Sequence, residues 1–212
     1  SEEACLTALA FGEIAREAGL PDGALNIIPG LGSETGQALA SNERVNHISF
    51  TGSVRIGTLI QTAAAQNIVA TTLELGGKSP QIVFDDANLT RAIPFLVKAG
   101  IQNSGQTCSA SSRILVQEDI YKVVVEKISA VYRKLRVGPA IENFELGPVI
   151  SLKQMKMIEG YQNKCADLKR SAEGSLMKST KGRGYYVAPA LFETNNYLHP
   201  LAQEEVFGPI QI

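Results

Sequence analysis

Two residue settings in this 212-residue chain could do covalent or proton-transfer chemistry. The first is Cys108, in Asn103-Ser104-Gly105-Gln106-Thr107-Cys108-Ser109-Ala110. A cysteine that only packs sits among Leu, Ile, Val or Phe. This one lies between two hydroxyl residues, three positions after a glycine. Such a stretch lets backbone N–H groups approach a ligand and leaves the sulfur reachable, and a thiol attacks as its thiolate from open, electropositive surroundings. A small packing cysteine in a turn would be written with the same letters. The second setting is Glu74, in Leu73-Glu74-Leu75-Gly76-Gly77-Lys78-Ser79-Pro80. It offers a carboxylate, a group able to move a proton, at the end of a strand-like run before a glycine turn.

Other chemistries have less to stand on. The three cysteines, Cys5, Cys108 and Cys165, are odd in number and far apart, which is neither a disulfide framework nor a zinc spacing. His47 and His199 have no nearby cysteine or paired carboxylates, so no metal site is expected and no Ser-His-Asp triad is supported. A formal net charge of −1 with scattered basic residues argues against nucleic acid and anionic membrane as partners. No apolar run is long enough to span a bilayer. The opening Ser1-Glu2-Glu3 is not a secretory leader, and a cytoplasmic setting is expected. A hydrophobic content of 44% with 19% charged residues fits a globular chain with room for one large or two small domains.

The elements that must position Cys108 and Glu74 alternate along the chain. Leu6, Leu9, Ala10 and Ile14 predict a helix over 3–18, stopped by Gly19 and Pro21. A short strand is expected over 24–28, then a glycine turn through Gly30, Gly32 and Gly36 and a small-residue helix. That turn is one residue too long for the dinucleotide fingerprint, and no acidic residue follows at the usual distance. The grammar repeats: strand 45–50, a turn at Gly52 and Ser53, a helix to Gln66, and a strand over 68–75 ending at Glu74. Free N–H groups at the start of the helix after Ser53 could receive an anion, while a plain serine N-cap would explain the same residues. Alternation of this kind predicts an α/β fold with a parallel sheet, its ligands at the carboxyl ends of the strands. Further on, strand 80–84, a helix over 89–102 introduced by Asp85-Asp86, and strand 113–117 flank the cysteine loop. A long amphipathic helix is expected over 119–137, and a second, opened by the Ser151-Leu152-Lys153-Gln154 capping box, to about Gly174. Strands over 175–178 and 185–192 are expected around a Lys181-Gly182-Arg183-Gly184 turn. A domain boundary is expected at Gly76-Gly77, giving domains 1–76 and 77–212.

Taken together, Phe50-Thr51-Gly52-Ser53 with Gly57, the Glu74 and Cys108 stretches, Leu146-Gly147-Pro148 and Glu205-Val206-Phe207-Gly208-Pro209 resemble the NAD(P)-dependent aldehyde dehydrogenase superfamily, in that family's order. The resemblance implies a Rossmann-like parallel sheet followed by a second α/β catalytic domain. It implies that Cys108 is the nucleophile and Glu74 the general base. It places Glu2 on the adenosine ribose, Gly32 beside the adenine end, and Gly52 and Ser53 at the pyrophosphate. Leu75 is expected near the nicotinamide through its backbone, and Glu205 and Phe207 at the nicotinamide ribose and ring. NAD is the implied cofactor, with NADP possible, because a carboxylate at Glu2 would repel a 2′-phosphate. The implied substrate is a small aldehyde, oxidised to the acid through a thiohemiacetal and a thioester, in a homodimer or homotetramer. The resemblance also implies more chain before Ser1 and after Ile212, including an Asn that supplies a second oxyanion donor. Two other readings stay open at this point: an acylating enzyme that hands the thioester to phosphate or coenzyme A, and a non-catalytic fragment that keeps only the cofactor-domain structure.

Overall fold

The structure is a computed structural model and describes residues 2–182 and 184–212. The chain divides into two compact units, Ser1–Leu75 and Gly76–Ile212.

In the first unit the helical spacing of Leu6, Leu9 and Ile14 gives α1, Leu6–Glu17. The strand expected over 24–28 does not form. Asn26 instead donates to the Gly23 carbonyl at 2.9 Å, and Ile27 packs on Gly12 of α1. A strand needs a neighbour for its backbone groups, and no described strand pairs with this segment. Gly32–Gly36 forms a single π-helical turn that runs into α2, Gln37–Ala40. Then comes a βαβ unit: β1, His47–Gly52; α3, Val54–Gln66; β2, Ala70–Leu75. The strands are parallel, in register from His47↔Ala70 to Gly52↔Leu75. Ser53 caps α3 by accepting from the Ile56 N–H at 3.4 Å, a type of contact contributing about 1 kcal/mol. Gly57 lets α3 lie against Leu75, since a Cβ there would stand 2.6 Å from Leu75 Cδ2.

The second unit contains β3, Pro80–Val83; α4, Leu89–Ile101; β4, Arg113–Val116; α5, Tyr121–Tyr132; β5, Arg136–Val137; α6, Leu152–Asn163; β6, Lys169–Glu173; β7, Ser175–Leu176; β8, Ala190–Glu193; α7, Pro200–Gln203; and β9, Ile210–Gln211. Parallel pairs join β3 to β4, β5 to β7 and β8 to β9, while β6 runs antiparallel to β8. Ile114 N–H donates to the Ile212 carbonyl at 2.8 Å and Ile212 N–H to that of Ser112 at 2.9 Å, so the end of β9 is tied to β4. One apolar cluster, including Val83, Leu96, Val97, Ile128 and Tyr132, packs α4 and α5 on the strands. Another gathers Ile158, Phe192, Leu201, Val206 and Ile210 under the last loops. Each such side chain, once buried, contributes roughly 1.5–3 kcal/mol. The α/β character and the parallel pairing agree with the Rossmann-like expectation.

Several helix ends differ from their sequence reading. Asp85 and Asp86 do not open α4; its cap is Asn88, which accepts from the Arg91 N–H at 3.2 Å. The helix expected over 119–137 stops at Tyr132, where Lys134 and Leu135 switch to tighter three-residue hydrogen bonds. Leu135 stays buried and so keeps the apolar period going in the sequence, but Val137 belongs to a strand and pairs with Leu176. The helix after Ser151 ends at Asn163, and the charged run beyond it is β6, a strand whose Ala172 alone is buried. Chain 185–189 is irregular ahead of β8. The expected turn at Lys181-Gly182-Arg183-Gly184 falls partly on Arg183, outside the described residues. Among the described residues no helix is long and apolar enough to cross a membrane.

Candidate active site

The first unit brings four of the expected residues together. Parallel pairing sets Thr51 opposite Glu74 and Gly52 opposite Leu75, so Gly52, Ser53, Glu74 and Leu75 share the carboxyl end of one strand pair. Glu74 is exposed there. The Leu75 side chain turns onto Gly57 of α3, and the first-turn N–H groups of α3 have no partner within the helix. Glu2 and Gly32 stand elsewhere. Glu2 is exposed ahead of α1, its carbonyl 3.9 Å from the Cys5 sulfur, and Gly32 opens the π-helical turn. No hydrogen bond among the described residues joins either one to the strand ends.

In the second unit the cysteine loop is built on unusual backbone. Asn103, Ser104 and Gly105 are consecutive left-handed residues, with φ of 50°, 56° and 74°. For the two that carry side chains this costs on the order of 1–3 kcal/mol each, and local contacts offset it. Asn103 Nδ2 donates to the Gln106 carbonyl and Gln106 Nε2 to the Asn103 carbonyl, both at 3.1 Å. Gln106 Oε1 accepts from the Ile150 N–H at 2.8 Å, and the buried Ser104 hydroxyl donates to the Gly147 carbonyl at 2.9 Å. The Leu146-Gly147-Pro148 stretch is thus a buttress for this loop. Below it, Gln81 and Gln211 both donate to the carbonyls of Leu96 and Ser111. The buried Tyr132 hydroxyl donates to Gln211 Oε1 at 2.6 Å. Held this way, Cys108 is exposed, and its own N–H has no acceptor among the described residues.

The loop carrying Glu205 and Phe207 touches the cysteine loop. A Cβ on Gly105 would stand 2.1 Å from the Gly208 carbonyl oxygen, so the two backbones meet with no side chain between them. Phe207 is half-buried and left-handed, with φ of 52°. Glu205 lies over Gly76, where a Cβ would collide with its carboxylate at 2.0 Å. Its Oε1 is buried and has no hydrogen-bond partner, as do Lys78 Nζ and Arg113 Nε. Arg113 fixes the neighbouring backbone, donating from Nη2 to the Lys78 carbonyl at 3.1 Å and from Nη1 to the Ala202 carbonyl at 3.2 Å. Burial, and then the Arg113 charge, pull the Lys78 ammonium down to about 8, while Glu205 opposes the shift.

The remaining candidates behave as packing groups. His199 caps α7 by accepting from the Leu201 N–H at 3.0 Å, and His47 lies 3.1 Å from the Thr72 hydroxyl. Cys165 is buried, donates to the Tyr161 carbonyl at 3.0 Å and is raised in pKa by burial. No three His, Cys, Asp or Glu side chains among the described residues are grouped to hold a metal ion. Sequence reasoning missed Arg113 and Gln154 as supports of these loops, and it quoted Gln106 and Lys78 without assigning either a role. Gln154 gave an advance signal as the last residue of the capping box. Only half of that box exists: Ser151 accepts from the Gln154 N–H at 3.2 Å, but the Gln154 side chain goes to the Phe207 carbonyl at 2.7 Å.

Comparison with known proteins bears on this arrangement. A model of the aldehyde dehydrogenase family matches residues 1–212. The mitochondrial aldehyde dehydrogenase of Sus scrofa is 42% identical over 216 residues, covering 99% of this chain and 40% of that protein. A crystal structure of a Burkholderia cenocepacia protein named after the same family has 47% identity and a TM-score of 0.98, covering 100% of this chain and 45% of its own. The betaine aldehyde dehydrogenase of Staphylococcus aureus, solved in complex with NAD+, has 34% identity and a TM-score of 0.94 over 100% of this chain and 43% of its own. The chain spans about two fifths of the length of the curated relatives it matches. With every residue inside the match, and the fold shared with proteins well above a third identical, the chain belongs to the aldehyde dehydrogenase family.

Proposed function

We propose that the protein containing this chain oxidises an aldehyde to its carboxylic acid with NAD, using Cys108 as nucleophile and Glu74 as general base. The observation that carries this reading is the cysteine loop, where an exposed thiol sits beside an unengaged N–H on strained, braced backbone. The Cys108 thiolate adds to the aldehyde carbon and forms a C–S bond. The carbonyl oxygen becomes an oxyanion, and the Cys108 N–H is placed to donate to it, a contribution of about 3 kcal/mol in comparable sites. Hydride acceptance is the chemistry that NAD supplies when bound. Glu74 then takes a proton from the water that attacks the thioester, and the C–S bond breaks to return the thiolate.

The residues present fit that cofactor. The buried Glu205 Oε1 lacks a donor, which ribose hydroxyls would supply, and the side-chain-free Gly76 lets the carboxylate lie close against the backbone. Gly52, Ser53 and the open first turn of α3 suit a pyrophosphate. Leu75 at the end of β2 is assigned to the nicotinamide through its backbone, and Phe207 to the ring itself. Glu2 and Gly32 are assigned to the adenosine end, and the Glu2 carboxylate favours NAD over NADP. The NAD+ complex of the S. aureus relative supports the choice of cofactor.

The test is NADH formation by the intact protein across aliphatic, aromatic, semialdehyde and betaine-type aldehydes, with the products identified. Free acid is expected; an acyl phosphate or coenzyme A ester as product would replace hydrolysis with acyl transfer. Cys108→Ala should abolish both oxidation and ester hydrolysis. Glu74→Gln should keep a single burst of NADH while steady turnover falls about 10²–10⁴-fold. Undiminished turnover in Glu74→Gln would remove Glu74 from the mechanism.

A further inference from the structure

We propose that Gln81 and Gln211 are positioning residues for the Cys108 nucleophile, acting by pinning the base of the loop that carries it. The proposal rests on the assignment of Cys108 made above. The loop leaves α4 after Ile101 and comes back beside that helix at Ser111, whose N–H donates to the Ala99 carbonyl at 3.0 Å. The Ser111 carbonyl is held as well. It accepts from Gln211 Nε2 at 2.6 Å and from Gln81 Nε2 at 3.2 Å. The same two nitrogens reach the Leu96 carbonyl inside α4, each at 3.0 Å. Two amides, one from β3 and one from β9, therefore clamp the chain that follows Cys108 onto the helix that precedes it.

Packing alone does not call for this array. Gln211 and Tyr132 are both fully buried, and a buried amide or hydroxyl is costly unless its hydrogen bonds are met. Here they are met. Gln211 Nε2 serves two carbonyls, and Gln211 Oε1 accepts from the Tyr132 hydroxyl at 2.6 Å. Gly100 makes room on the helix, since a Cβ there would stand 2.1 Å from Gln211 Nε2. An apolar pair of the same shape would fill this space about as well. What apolar side chains cannot do is grip a carbonyl. The array fixes where the backbone re-enters after Cys108, and with it the aim of the Cys108 N–H at the oxyanion. Both glutamines act through backbone carbonyls, not on the reacting atoms.

Hydrolysis of p-nitrophenyl acetate by the intact protein reads the oxyanion contact without any cofactor, and urea melts of the same samples read stability. Gln211→Met removes two donated bonds and strands the Tyr132 hydroxyl, so its urea midpoint should fall. Adding Tyr132→Phe makes both sides apolar and should return most of that loss. In the single and the double variant kcat should be about tenfold low, the scale of one lost hydrogen bond, with KM unchanged within about twofold. Gln81→Met removes the other two bonds from a half-buried side chain and reports even if the Gln211 variants do not fold; its kcat should fall about threefold. A kcat that recovers with stability in the double variant overturns the proposal, as does a loss that falls on KM or a wild-type kcat in Gln81→Met. If ester hydrolysis survives Cys108→Ala, the nucleophile assignment itself has failed and takes this proposal with it.

Discussion

Lys78 sits in an environment that its residue type seldom tolerates. Its ammonium is buried without a hydrogen-bond partner, near Arg113 and Glu205, and its pKa falls from 10.5 to about 8. The unfolded chain, with an ordinary lysine, therefore holds more protons than the folded chain between pH 8 and 10.5. Stability rises with pH wherever that is so. Relative to Lys78→Met, the wild type should gain on the order of 3 kcal/mol as pH is raised across that window. Urea melts of both proteins at pH 7.5, 9 and 10.5 would measure it, and a gap independent of pH would mean the lysine is better solvated than the structure shows. None of this was readable from the sequence. Gly76-Gly77-Lys78 reads there only as the turn after Glu74, because the groups that act on the Lys78 ammonium, Arg113 and Glu205, are distant in the chain. Cys108 was readable because its immediate neighbours, not distant ones, make its setting unusual.

At the scale of elements, the cysteine loop and α6 show what a glycine does in each setting. Gly105 combines φ of 74° with the Gly208 carbonyl oxygen 2.1 Å from where a Cβ would lie. Gly105→Ala should lose about 2–4 kcal/mol, the left-handed penalty plus overpacking. Gly160, inside α6, has nothing within 4 Å of its Cβ position, and Gly160→Ala should gain about 0.5–1 kcal/mol. Urea unfolding of the two variants checks both signs. The βα units around β1 to β4 were visible in the sequence because their apolar runs are short and bounded by turn residues. Helix ends were not, since Leu135 is buried in a turn and continues the helical period that ends at Tyr132. The strand expected over 24–28 failed for another reason: apolar letters give a strand its face but cannot supply its neighbour.

At the scale of the whole chain, apolar burial is uneven. Both hydrophobic clusters lie within Gly76–Ile212. Among the described residues of the first unit only Ala40, Gly57 and Ala64 are buried, while Leu6 is 78% exposed and Ile68 94%. Local stability follows such burial. Hydrogen exchange of this 212-residue chain should therefore show α1 and α2 exchanging within the earliest time points and α4, α5 and β8 protected longest. Equal protection in the two units would contradict that ranking. The sequence showed the repeated βα grammar but gave no sign of this imbalance, because Leu6, Leu9 and Ile14 make an apolar stripe whether or not anything covers it.

The bare meeting of Gly105 with Gly208 has a consequence for anyone recombining this family. Two main chains in direct contact leave no room to absorb a change of length, so a residue inserted in one segment demands a matching change in the other. A chimera that takes the thiol segment from one parent and the carboxylate segment from a second inherits two halves shaped for different mates. Crossover points should therefore keep positions 103–110 and 204–209 from a single ancestor.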